Sequence, residues 1–61
     1  MKSTNELLQD TIDTVSILIG YARADVEHSL ENGAVEQAKD DFNRKELLIK
    51  ARGILLQCKK D

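Results

Sequence analysis

His28 and Cys58 are the one histidine and the one cysteine in this chain, and together they are the chemistry of a nucleophile and its base. Such a pair works only in hydrogen-bond contact, and a long helical pattern separates these two. Asp25, His28 and Glu31 recur every three residues, with Glu27 four before Glu31. Imidazole and carboxylates on one helical face are metal-binding chemistry. A three-residue step drifts around a helix of 3.6 residues per turn, however, so these groups do not stay on one face. Asp10 with Asp13 and Asp40 with Asp41 read as solvated carboxylates. Gly20, Gly33 and Gly53 are isolated, so no glycine-rich phosphate loop is present. No catalytic, cofactor-binding or metal-ligating set emerges, and the chain reads as non-enzymatic, without a cofactor.

The basic residues are the other chemistry on offer. Residues 1–41 hold three bases against nine acids, and residues 42–61 hold six bases against two acids. Arg44, Lys45, Arg52, Lys59 and Lys60 are candidate nucleic-acid contacts, and such charge asymmetry can mark a nucleic-acid tail. Against that reading, the net charge is −2 and aromatics make up only 3%. Few side chains are available for base stacking, and the chain has no room for the third helix of most helix-turn-helix domains. A structural reading competes: folding the chain at its midpoint sets the acidic start beside the basic end.

That midpoint is Asn32-Gly33, the one strong break in a helical pattern. Helices commonly end on a left-handed residue, which Gly adopts freely and Asn nearly so. The spacing predicts helix 1 over about 4–31, a turn at 32–33 and helix 2 over about 34–59, in one domain covering 1–61. Ser3 and Glu6 have capping-box spacing. Leu8, Ile12, Val15, Ile19, Ala22 and Val26 then follow at four-three spacing, a heptad seam. Proline is absent, as long helices require.

Helix 2 is less orderly. Val35, Ala38, Phe42, Ile49 and Leu56 make one apolar face. Leu47, Ala51, Ile54 and Cys58, with Leu48 and Leu55 alongside, make a second. Lys45 and Arg52 lie between the two, where their stems can cover apolar surface. One face is expected to pack on helix 1 and the other to stay uncovered. Burying a Leu or Ile is worth roughly 1.5–3 kcal/mol, so leaving several in water is unfavourable. The fold class read from the sequence is therefore all-α: a two-helix antiparallel hairpin that dimerises into a four-helix bundle. The predicted dimer or partner interface comprises Ile12, Val15, Ile19, Leu47, Leu48, Ala51, Ile54, Leu55 and Cys58. Ile17 and Tyr21 form a further apolar patch.

Length and composition set the remaining bounds. A domain of 61 residues buries only roughly 60% of its unfolded surface and is marginal alone. One cysteine gives no disulfide framework, which favours a reducing compartment. The first residues lack the basic-then-apolar run of a signal peptide, and no apolar run approaches the ~18 residues of a membrane span. A cytoplasmic protein without a membrane role is expected.

Met1-Lys2-Ser3-Thr4-Asn5-Glu6-Leu7-Leu8, followed by one acidic-to-basic hairpin, resembles short early-region products of lambdoid phages, those of the segment between the exonuclease and excisionase genes. That resemblance implies a modulator of host growth or of the developmental decision, acting on host or phage components. In size and layout the chain also looks like the dimeric RNA-binding hairpin of plasmid copy-number control. Through Lys50-Ala51-Arg52-Gly53-Ile54-Leu55 after an Asn32-Gly33 turn, it is similar to helical export chaperones of flagellar subunits. No site residue is carried over from any of these. The function expected is a small regulatory or adaptor protein working through protein contacts, with nucleic-acid binding by the basic half of helix 2 as the alternative.

Overall fold

The computed structural model describes residues 1–59, which form two α-helices, α1 (Thr4–Glu31) and α2 (Val35–Cys58). The start of α1 is fixed by a reciprocal cap. The Ser3 hydroxyl accepts from the Glu6 N–H at 3.2 Å, and the Ser3 N–H donates to Glu6 Oε1 at 3.2 Å. Two of the four orphan amides at a helix start are satisfied in this way.

The end of α1 is equally well defined. Ala34 N–H donates to the Ser29 carbonyl at 2.8 Å and Gly33 N–H to the Leu30 carbonyl at 3.1 Å. These are the two bonds of a Schellman motif, which requires a left-handed residue between helix and exit. Gly33 supplies it, with φ +71°. α2 then begins at once from Ala34, without a side-chain cap.

The two helices pack against each other along their length, antiparallel. Ser29 meets Asp41 near the turn, Arg52 reaches Ser16 further out, and Lys59 donates to Gln9 near the free ends. α1 turns its heptad seam inward: Ile12, Ile19 and Ala22 are buried, and Leu8, Val15 and Val26 are half-buried. The bases near the free ends meet an amide and a hydroxyl of α1. The ion pairs Lys2–Asp10, Lys39–Glu36 and Arg44–Asp41 do not bridge the helices.

α2 corrects the sequence reading. Neither of its apolar faces packs squarely on α1. The line between them does: Ala38 and Asp41 are buried, and Lys45, Leu48, Arg52 and Leu55 are half-buried, at four-three spacing. A two-helix contact is one seam wide, and the apolar residues of α2 spread too far around the helix for one seam to cover. Turning the intermediate line inward half-shelters both faces. The stems of Lys45 and Arg52 fill the seam while their charged ends escape it.

The result is a thin rod of 46 × 18 × 13 Å, with a Cα radius of gyration of 14.3 Å. A compact chain of this length would have a radius of about 10.5 Å. A Cβ at Gly20 or Gly53 would meet nothing within 4 Å, so neither glycine serves a close approach of the two helices. Both sit exposed inside helices. Gly20→Ala and Gly53→Ala are each expected to raise stability by about 0.5–1 kcal/mol. Gly33→Ala is expected to lower it by about 1 kcal/mol, with Gly33→Asn milder. Thermal unfolding followed by circular dichroism distinguishes the two signs.

Candidate interaction surface

The most buried polar contact lies next to the turn. Ser29 and Asp41 are only 4% and 5% exposed, on facing seam positions. The Ser29 hydroxyl donates to Asp41 Oδ2 at 2.9 Å, and Arg44 Nη1 lies 3.8 Å from Asp41 Oδ1. Asp41 is thus not the solvated carboxylate that Asp40-Asp41 suggests in the sequence. Extending the four-three line back from Leu48 through Lys45 reaches Asp41, a signal that apolar residues alone do not carry.

The residues with catalytic potential are kept apart. His28 lies near the turn, with its Nε2 3.0 Å from Asn32 Nδ2. Cys58 is exposed at the far end of α2, in a hollow with Ser3, Thr4 and Asn5. Among the described residues no group of three or more His, Cys, Asp or Glu is placed to hold a metal ion. No described helix is long and apolar enough to cross a membrane.

What the hairpin presents instead is apolar surface on both broad sides. On one side, here the Phe42 face, α2 carries Val35, Phe42, Ile49 and Leu56 at strict seven-residue spacing. Val35, Phe42 and Leu56 are 56%, 44% and 52% exposed. Close to the turn, Val26, Leu30, Val35, Ala38 and Phe42 line an open groove of about 330 Å³. The Lys45 ammonium sits 4.7 Å from the Phe42 ring centroid, a cation–π contact.

On the opposite side, the Tyr21 face, Leu18, Tyr21, Ala22, Asp25, Arg44 and Leu48 line a second hollow of about 230 Å³. Leu47, Ile54 and Tyr21 are 68%, 53% and 65% exposed, and Ala51 and Cys58 are exposed with them.

The predicted interface residues therefore divide. Ile12, Val15 and Ile19, with Leu48 and Leu55, lie on the seam inside the hairpin, while Leu47, Ala51, Ile54 and Cys58 remain open on the Tyr21 face. Ile17 is exposed on the outer side of α1. The predicted nucleic-acid contacts divide too. Arg44 borders the Tyr21 face, whereas Lys45, Arg52 and Lys59 are half-buried and reach Phe42, Ser16 and Gln9. Lys60 lies outside the described residues.

No protein-family model, curated protein or solved structure matches the chain.

The buried polar contact yields a coupled prediction. Ser29→Ala and Asp41→Leu should each lower stability by about 1–3 kcal/mol, because each strands a buried polar partner. The pair Ser29→Ala with Asp41→Leu should lose less than either single change, because no buried polar group is left unmatched. Urea unfolding of the three variants measures this, and strictly additive losses would refute the coupling.

Proposed function

We propose that this chain is a non-enzymatic interaction protein whose hairpins associate into a homodimeric four-helix bundle and which acts through protein contacts. The observation that supports this is the balance of apolar surface. Ten large apolar side chains between Leu7 and Leu56 are more than two-fifths exposed, whereas among the described residues Ile12 and Ile19 are the large apolar side chains that are buried. The hairpin exposes 4742 Å², against the ~4,000 Å² expected of a compact monomer of its mass. Association is the direct way to remove this surface from water.

Two broad apolar faces give the association a further consequence. A two-fold dimer of hairpins uses the same face of each copy, so one face is buried and the other stays open. The open face is the one available to a partner. This supports the regulatory or adaptor role implied by the resemblance to lambdoid phage early-region products, with a host or phage protein as partner. The nucleic-acid alternative draws on the same bases, but Lys45, Arg52 and Lys59 already contact their own hairpin.

Size-exclusion chromatography with light scattering should give twice the monomer mass at micromolar concentration. A stable monomer there overturns the reading. Affinity capture from host lysate with and without nuclease separates a protein partner, retained after nuclease, from one bridged by nucleic acid.

A further inference from the structure

We propose that the Tyr21 face is where two copies meet. Their two-fold axis runs parallel to the helices, so both turns lie at the same end and α1 of each copy packs on α2 of the other. This rests on the dimer reading above and adds to it the face, the orientation and the contacts.

The face follows from the residues flanking the seam. On the Tyr21 side, α1 offers a second four-three line of Leu7, Thr11, Thr14, Leu18 and Tyr21, uncharged until Asp25. α2 offers Leu47, Ala51, Ile54 and Cys58 at the same spacing. These are two complementary seams of the kind that helices in a bundle share. On the Phe42 side, the corresponding line of α1 includes Leu30 but carries four charges, Glu6, Asp13, Arg23 and Glu27, which suit the interior of a bundle less well. The broad side of the hairpin measures 46 by 18 Å, enough for the ~800 Å² per partner of a standard stable interface.

The orientation follows from symmetry and charge. An axis parallel to the helices preserves height along the rod, so α2 of the second copy repeats the register that α2 has within one chain. Within the chain, Arg52 contacts Ser16. Five residues onward in α1 and five back in α2 bring Tyr21 level with Leu47. Thr14 is level with Ile54 by the same count, and His28 with Asp40.

Asp25 and Arg44 border one hollow in the chain, so across the dimer Asp25 also stands level with Arg44 of the second copy. At the turn end Asp25 thus meets an opposite charge and Asp40 an imidazole, and the rest of the face meets apolar or hydroxyl groups. A transverse axis would lay α1 on α1, each with six carboxylates and one arginine. Use of the Phe42 face with a parallel axis would set Arg23 level with Lys45 of the second copy.

Paired cysteines in a Cys58→Ser background test this. Disulfides form only where Cα atoms approach within roughly 7 Å, which two cysteines seven residues apart on one helix cannot do. Thr14→Cys with Ile54→Cys should become a covalent dimer on mild oxidation. Leu47→Cys with Ile54→Cys, which a transverse axis on this face would join between copies, should stay uncrosslinked. The reverse pattern overturns the orientation. A light-scattering dimer in which neither pair crosslinks overturns the face. Leu30→Asp with Leu56→Asp, on the Phe42 face, should leave the dimer mass unchanged, and its conversion to monomer likewise overturns the assignment. A wild-type protein that is monomeric in reducing buffer would instead remove the dimer reading itself, and loss of the dimer in Cys58→Ser alone would support the face, since Cys58 lies on its seam.

Discussion

Two helices can share only one seam, and most features of this hairpin follow from that limit. Each helix presents a single line of side chains to the other, whatever the total number of apolar residues. α1 fits the limit along its seam, where its largest buried residues repeat at heptad spacing, but it leaves Leu7, Ile17, Leu18, Tyr21 and Leu30 exposed. α2 does not fit it, because its apolar residues surround more than half of the helix. Whichever line of α2 faces inward, several leucines, isoleucines or aromatics stay outside. The orientation adopted distributes the deficit over both broad sides. A long thin rod with an open apolar stripe on each side is the outcome.

The seam of α2 is correspondingly mixed. Leu48 and Leu55 alternate along it with Lys45 and Arg52, and Asp41 is buried against Ser29. A seam of this composition contributes less hydrophobic stabilisation than a uniform one, but it discriminates more strongly between registers. Sliding α2 by one helical turn would take Asp41 away from Ser29 and set a carboxylate against aliphatic side chains. Such a displacement loses a buried hydrogen bond and leaves a buried charge unmatched, both expensive in a low dielectric. The Schellman motif at Gly33 limits the same motion covalently, since α2 begins directly after it. Turn geometry and buried polar contact therefore select one alignment of the helices from opposite directions.

Local chemistry was the legible part of the sequence. Ser3 with Glu6 named the start of α1, and Asn32-Gly33 named its end, because each relies on backbone requirements satisfied within a few residues. The α1 seam was legible because no competing apolar line of equal quality exists on that helix. The facing line of α2 was not legible from apolar residues alone. Two faces of similar weight cancel in any search for a single apolar direction, and the inward line between them contains charges. Lys45 and Arg52 belong there because long aliphatic stems can be sheltered while their ends reach water. Asp41 belongs there because a hydroxyl stands opposite it. The burial of a polar residue depends on its partner across the seam, and one helix read alone does not display that partner.

The two broad faces differ in how their apolar residues are distributed, and this bears on where a partner would bind. On the Tyr21 face both helices contribute, so two flat hairpins can cover each other with four contributing helices. On the Phe42 face the apolar stripe belongs mainly to α2, and the adjoining line of α1 adds Leu30 but carries four charges. A second hairpin laid there would bury charges along half of its contact. A single amphipathic helix needs only the stripe and the groove beside Leu30 and Val35, and it would leave the charged line of α1 in water. In the dimer proposed above, the Phe42 face is therefore the one left open to a different and smaller partner surface.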